Sequence, residues 1–434
     1  MIVKRLNLVD KGFLLVFICL AILLFTGIQS IPFHPDEVSL LYQSRDLERL
    51  FSNPIELAYQ PDREGEIDQT YRALNPPLPK YILALGRLAA GYGSDRVSVD
   101  WNWSLTWDEN KAAGALFSTA ILSASRIAST IMVLLSLPIL YLCGKRIRNS
   151  VMAISAVLLL GTHSLVLLHG RRAMAEGTLI FGVSLAILGI LEGDKRPWLA
   201  GIGTAIAACS KLSALALAPV GLLSVLWLPT NLKNRKTKLI RNATLFIVTF
   251  LALFLLLNPF LWSNPIKGIQ SQWHERTQFL QGMVEEIEAR SPDQILHGPL
   301  ERFAVMVTHL FIAEPQFAEA GNYISNTSNV DSLYLSRQLH TLFRGWPGGI
   351  LMISLTIMGV VIFGIEGSKV RFHNQRPIML LLIASTIQTV AIIWANPFPF
   401  QRYYIPLIPF ICLWIGYFMA QILAGIKQAT SRMK

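Results

Sequence analysis

A chain of 434 residues that is 53% hydrophobic and only 15% charged sits well below the roughly 25% charge of ordinary globular proteins. Its mean hydropathy of +0.46 excludes a string of soluble domains and points to an all-α polytopic membrane protein, one integral domain over 1–434. The net charge of +11 would suit a nucleic-acid binder, but the placement of the basic residues accounts for it otherwise.

The run Phe13 to Ile31 is nearly long enough to cross a bilayer. No small-residue cleavage site follows, so it is expected to be an anchor rather than a signal peptide. At its outer end stands Phe33-His34-Pro35-Asp36-Glu37. Two adjacent carboxylates at the point where the chain leaves lipid suit chemistry done at that boundary. The structural alternative is that Asp36 caps a helix beginning near Glu37.

Residues 32–114 form the first of two long outer stretches, a periplasmic loop in this reading. Leu78, Tyr81, Ile82, Leu85 and Leu88 share one helical face, with Pro79 suited to the first turn. Val38, Leu41, Tyr42 and then Leu47, Leu50, Phe51 predict another helix, and both are expected to lie along the membrane interface. Apolar runs near 115–143, 151–169, 176–193, 198–213, 214–229, 240–258, 347–365, 378–395 and 404–424 follow. They bring the expectation to about ten transmembrane or partly spanning helices. The segment 198–229 lies between basic clusters on one side of the membrane, so it must leave and return. Each arm of about 16 residues reaches only about 24 Å, which predicts a short hairpin turning near Cys209-Ser210-Lys211. The second outer stretch, 259–346, carries Glu285, Glu286 and Glu288 on a helix with a solvated face.

Half of the 38 Lys and Arg residues fall in short loops or tails on one side. These are Lys4, Arg5 and Lys11; Lys145, Arg146 and Arg148; Lys195 and Arg196; Lys233, Arg235, Lys236, Lys238 and Arg241; Lys369, Arg371 and Arg376; Lys427, Arg432 and Lys434. The positive-inside rule then places both termini in the cytoplasm. Anionic lipid accounts for the charge, and no nucleic-acid partner is expected. The four cysteines, Cys19, Cys143, Cys209 and Cys412, fall in apolar runs without metal or disulfide spacing.

Several ionisable residues sit at outer helix ends: Asp36, Glu37, Lys80, Arg126, Arg171, Arg172, Glu176, Lys211 and Arg402. Such groups near hydrocarbon face a cavity or a partner, or snorkel to the headgroups, the default for Arg126 and one of Arg171/Arg172. Cations and carboxylates on one face suit a reaction with a phosphate leaving group. Basic groups stabilise the departing oxyanion, and a carboxylate takes a proton from an incoming hydroxyl.

Five features occur in a telling order. They are Asp36-Glu37 after the first span, Asn75-Pro76-Pro77-Leu78-Pro79-Lys80, Arg172-Ala173-Met174-Ala175-Glu176, Lys211 after a Gly/Ala-rich helix, and Arg402-Tyr403 before Pro406 and Pro409. From about residue 10 to 424 the chain resembles the GT-C superfamily of lipid-carrier-dependent glycosyltransferases. Its nearest branches by motif are the protein O-mannosyltransferases and the lipid A aminoarabinose transferases. The resemblance implies a GT-C-like fold with Asp36 as general base, Glu37 as its support or an acceptor ligand, and Glu176 at a second acidic position where relatives more often carry Asp. It implies that Lys80, Lys211, Arg402 with Tyr403, and one of Arg171/Arg172 hold the carrier phosphate. A His-Pro-Pro variant of the family is Asn75-Pro76-Pro77 here. The extra lumenal domain of eukaryotic mannosyltransferases is not found, which implies a bacterial or archaeal plasma (inner) membrane enzyme.

The expected function is transfer of a sugar from a polyprenyl-phosphate donor, such as undecaprenyl phosphate, to a hydroxyl of a lipid, glycan or protein acceptor. No cofactor is required, and a divalent metal is compatible but not demanded. The rival is a transporter or flippase of lipid-linked glycans, which would show paired repeats and midplane charges.

Overall fold

A computed structural model describes residues 8–227, 234–319, 323–369 and 376–432. Lys4, Arg5, Lys233, Arg371 and Lys434 lie outside these residues, as do the side chains of Lys369, Lys427 and Arg432. Among the described residues every regular element is helical.

Helix α1 spans Leu8–Thr26, where Gly27 ends it. A Cβ at Gly27 would meet the Arg171 guanidinium at 2.3 Å, so the glycine admits a buried cation. The first outer stretch folds into α2 Pro35–Gln43, α3 Asp46–Ser52, α4 Ile67–Leu74, α5 Pro77–Ala89 and α6 Trp107–Ala112. Next come α7 Thr119–Ile147, α8 Ser150–Thr162, the short α9 Ser164–His169, α10 Glu176–Glu192, α11 Pro197–Ser210, α12 Leu217–Leu226 and α13 Arg235–Leu257. The second outer stretch holds α14 Pro265–Arg290, α15 Pro299–Val307 running into a π turn at Thr308–Ile312, and α16 Ile324–Leu335. The chain ends with α17 Gly345–Lys369, α18 Arg376–Ala395, a 3-10 segment Gln401–Leu407 and α19 Ile408–Arg432.

Five helices are long and apolar enough to cross a membrane: α7, α13, α17 over Gly345–Ile365, α18, and the stretch Gln401–Ile426. Four shorter apolar helices accompany them, Lys11–Thr26, Ser150–Thr162, Pro197–Ser210 and Leu212–Leu226. The chain is a multi-pass membrane protein. The predicted hairpin is present, with α11 and α12 in contact and Lys211 at the break. Helices α10 and α11 form the closest pair. Gly182, Ala186 and Gly189 face Ala207, Gly203 and Ala200, and a Cβ on any of the three glycines would meet opposing backbone within 2.8 Å. Small residues at both faces let two backbones meet where lipid supplies no hydrophobic drive. The main core joins α1, α7, α8, α10, α18 and α19.

The amphipathic helix α5 forms as expected. Lys80, Tyr81, Leu83, Ala84 and Arg87 are buried, whereas Leu85 and Leu88 are exposed. Charge neutralisation decides it. Arg87 pairs with Glu48 and donates to Ser44 Oγ at 2.9 Å, and Gly86 lets α5 approach the α7 backbone at Ala124. The Glu285, Glu286 and Glu288 face of α14 is exposed, as expected.

Candidate active site

Helix α2 begins where α1 and a 3-10 turn at Ile28–Ser30 end. Its N-cap is His34, not Asp36. His34 Nδ1 accepts the Asp36 backbone N–H at 3.0 Å, and Glu37 Oε2 accepts the His34 backbone N–H at 3.2 Å. Because His34 supplies the cap, the Asp36 carboxylate is left for another partner. Its Oδ2 accepts from Arg402 Nη1. Its Oδ1 carries no hydrogen bond among the described residues, and the side chain is 27% exposed.

Glu37 is the opposite case, fully buried. Its carboxylate accepts from Arg126 Nε at 2.7 Å, Arg126 Nη2 at 2.6 Å and the Ala173 N–H at 2.8 Å. Arg126 also donates to the Ile31 carbonyl at 2.8 Å. It is therefore no snorkeler; it fastens the end of α1 and the start of α2 to α7. Burial raises the Glu37 carboxyl, but Arg126 outweighs it and holds it below the ordinary value. With every oxygen occupied, Glu37 has no lone pair for a substrate, and the geometry suits positioning of Asp36.

Glu319, from the second outer stretch, completes the centre. Its Oε2 accepts from His34 Nε2 at 2.8 Å, and its Oε1 lies 3.1 Å from Arg402 Nε. Since His34 Nδ1 is an acceptor, its proton sits on Nε2 and is donated to Glu319. Gln316 and Gln401 bond each other's backbone N–H, at 2.6 and 3.3 Å, and so bring Glu319 and Arg402 together. Burial raises the Asp36 and Glu319 carboxyls, but Arg402 and His34 together outweigh it at Asp36, and with His169 at Glu319, so both lie below their ordinary values.

A second pair adjoins this centre. Lys211 Nζ donates to Glu176 Oε1 at 3.2 Å and lies 4.8 Å from the centre of the Tyr403 ring. Glu176 on the neighbouring α10 thus supplies Lys211 with a counter-charge within the protein. Arg402 flanks the same ring at 5.7 Å. Arg276 of α14 lies within electrostatic range of Tyr403 and Lys211.

Of the remaining expected phosphate ligands, Lys80 and Arg171 lie elsewhere and Arg172 borders the centre. Lys80 is buried 3.9 Å from Asp46, which pairs with Arg72 at 2.9 Å. These residues line a small cavity with Asn75 and Asn258. Burial pushes the Lys80 amine down to about 8, against the pull of Asp46. Arg171 is fully buried and points to Tyr334 Oη at 3.3 Å and His340 Nε2 at 3.4 Å. Arg172 donates to the carbonyls of Pro32 at 3.2 Å and Phe317 at 3.0 Å. It lies within electrostatic range of Glu37 and Glu319. The structure therefore brings together Asp36, Glu176, Lys211, Arg402 and Tyr403, and leaves Lys80 and Arg171 with other partners.

Unpartnered buried polar atoms concentrate here: Glu176 Oε2, Glu319 Oε1, Arg402 Nε, Arg172 Nη1, both His169 ring nitrogens and the Tyr323 hydroxyl. The contact between Glu319 Oε1 and Arg402 Nε is an ion pair without hydrogen-bond alignment. Buried polar groups are ordinarily satisfied, and this is where the described residues leave several without a protein partner. The fit to a divalent metal is poor. The Arg402 guanidinium bridges Asp36 and Glu319, where a metal would have to lie. No group of three His, Cys, Asp or Glu residues able to hold a metal occurs among the described residues. Sequence reasoning missed His34, Glu319 and Arg276. His34 adjoins Asp36 in the first motif and was legible only as part of it, whereas Glu319 and Arg276 carry no local signal.

Residues 71–271 match the model of the Dolichyl-phosphate-mannose-protein mannosyltransferase family. No curated protein sequence matches the chain. Its fold is similar to that of the Archaeoglobus fulgidus oligosaccharyltransferase in complex with Zn and sulfate (12% identity, TM-score 0.54, 95% of this chain and 49% of that one). It is similar to the archaeal oligosaccharyltransferase AglB from the same organism, in complex with an inhibitory peptide and a dolichol-phosphate (12%, 0.53, 98% and 52%). A third is ArnT from Cupriavidus metallidurans bound to undecaprenyl phosphate (14%, 0.51, 94% and 60%). The chain spans about half to three-fifths of the length of these structures. The resemblance to the GT-C superfamily read from the sequence motifs is borne out at the level of fold.

Proposed function

We propose that the chain is an integral membrane glycosyltransferase that moves a sugar from a polyprenyl-phosphate carrier to an acceptor hydroxyl at the outer membrane face. The observation that carries this reading is the Asp36–Arg402–Glu319 centre, a part-exposed carboxylate held against a guanidinium beside Lys211 and Tyr403. The mannosyltransferase family match over 71–271 and the carrier phosphates named with two fold neighbours support the same chemistry.

In this mechanism the acceptor hydroxyl hydrogen-bonds Asp36 Oδ1. Its oxygen forms a bond to the anomeric carbon as the bond from that carbon to the phosphate oxygen breaks. The electron pair leaves on the phosphate, the hydroxyl proton passes to Asp36, and the configuration inverts. Arg402 neutralises the leaving phosphate, with Lys211 and Arg276 behind it. Arg402 gives Asp36 one hydrogen bond and has an Nε unpartnered among the described residues, so a donor phosphate competes with Asp36 for the guanidinium. Donor binding therefore draws the guanidinium away, and the freed Asp36 becomes more basic when a base is needed. Glu37 and Arg126 hold the start of α2 in place.

The test is transfer from a polyprenyl-phosphate-linked sugar by purified protein. Asp36→Asn, which keeps shape and removes the base, is expected to lower turnover by at least about 10²-fold with normal yield of folded protein. Wild-type turnover in Asp36→Asn rules this mechanism out. Mass spectrometry of envelope glycans and lipids after gene deletion would identify sugar and acceptor.

A further inference from the structure

A second cavity, mostly apolar in its lining but with Arg344 on one wall, lies away from the Asp36 centre, where α8 breaks into α9 and α17 begins. Its lining includes Leu159, His163, Ser164, Phe311, Phe343 and Arg344, and it measures about 310 Å³ with its open mouth. Arg344 is tied down on one side. Its Nε donates to Ser164 Oγ, and its Nη1 donates to the carbonyls of His309, Leu310 and Ala313 at 3.0, 2.8 and 3.3 Å. Those carbonyls belong to the π turn Thr308–Ile312 and the residue after it. Phe343, just before it, is held at φ 60°, a conformation unfavourable for a bulky side chain.

The other side of the guanidinium is unmatched. Nη2 is buried and has no partner among the described residues. Burial lowers the group to about 9, and no carboxylate acts against it. A desolvated charge without a counter-charge is unfavourable. The neighbours are donors too. His163 Nδ1 accepts the Leu165 N–H at 3.3 Å, which leaves the ring proton on Nε2. Ser164 Oγ already accepts from Arg344, so its hydroxyl hydrogen is free to donate. Close in sequence stand the exposed apolar side chains of Leu339, Phe343, Trp346 and Ile350. Tryptophan beside a cation at the end of a spanning helix is the pattern of a membrane–water interface.

We propose that Arg344, His163 and Ser164 form a binding site for a phosphate group, presented by an anionic phospholipid at the end of α17. Free inorganic phosphate offers the same chemistry, and the experiment separates the two sources. The full-length protein is melted in nanodiscs of phosphatidylcholine alone and of phosphatidylcholine with phosphatidylglycerol, and in neutral detergent with and without millimolar inorganic phosphate. The expected result is a Tm higher by at least about 2 °C with phosphatidylglycerol, lost in Arg344→Gln. A rise with inorganic phosphate only, also lost in Arg344→Gln, supports the site with a soluble anion as its occupant. Should Arg344→Gln fail to fold, Leu159→Trp fills the cavity while leaving the arginine's carbonyl contacts, and it must abolish the same rise. Equal shifts in wild type and variant, or none in either arm, overturn the proposal.

Discussion

Asp36 and Arg402 stand 366 positions apart in the chain and meet in one ion pair. The contact joins the first turn of α2 to the 3-10 segment that precedes α19. It also sets the ionisation of the carboxylate. Burial raises Asp36, Arg402 and His34 together outweigh this, and the group stays ionised to below the ordinary carboxylate range.

The two adjacent carboxylates are expected to separate in their effects. Asp36→Asn is predicted to leave folding intact and remove transfer. Glu37→Gln leaves Arg126 buried with its paired carboxylate gone, which should destabilise by about 3–5 kcal/mol. Thermal melts of both variants beside transfer rates check this. An unfolded Asp36→Asn with a stable, active Glu37→Gln would reverse the assignment.

The pH dependence follows from the sign of the Asp36 shift. A lowered carboxyl pKa keeps the base ionised in the free protein, so the acid limb of kcat/KM is expected below about pH 4. Once the donor draws Arg402 away, the pKa rises, and the acid limb of kcat should lie at higher pH. The same lowering means that the stability contributed by Asp36 and Glu319 is present above their ordinary pKa values. It is lost as pH falls through the lowered ones. Coincident acid limbs for kcat and kcat/KM would show that Arg402 does not move between the two roles.

Lys211 and Glu176 are predicted to act as a unit. Lys211→Met leaves Glu176 buried without its cation, so it should lower Tm as well as donor affinity. Lys211→Met combined with Glu176→Gln should recover much of the stability but not the affinity. Donor-concentration dependence and melting of the three variants measure both terms. Full recovery of affinity in the double variant would confine Lys211 to balancing Glu176.

Cytoplasmic termini with outer segments 32–114 and 259–346 remain a proposal with a direct test. In a background lacking Cys19, Cys143, Cys209 and Cys412, an impermeant thiol reagent on intact cells should label Asp95→Cys, at an exposed position. It should spare Asn234→Cys at the start of α13. The opposite pattern would invert the orientation.

The sequence alone determined the apolar helices, the short hairpin breaking at Lys211, and the family resemblance. Hydropathy and helical periodicity are local properties, readable over a few turns. The place of Asp36 at a boundary was legible for the same reason. What the sequence could not decide was which charges meet. The periodicity from Leu78 to Leu88 marked α5 as amphipathic, but not that Glu48 and Asp46 on α3 would take Arg87 and Lys80 as partners. Lys80 resembled a phosphate ligand by motif, yet packing set it beside Asp46. Glu319 and His34 joined Asp36 only because Gln316 and Gln401 clasp the second outer stretch to the 3-10 segment that precedes α19. An ion pair across such separations depends on how the helices assemble, and each buried charge settles on the counter-charge that assembly brings within reach.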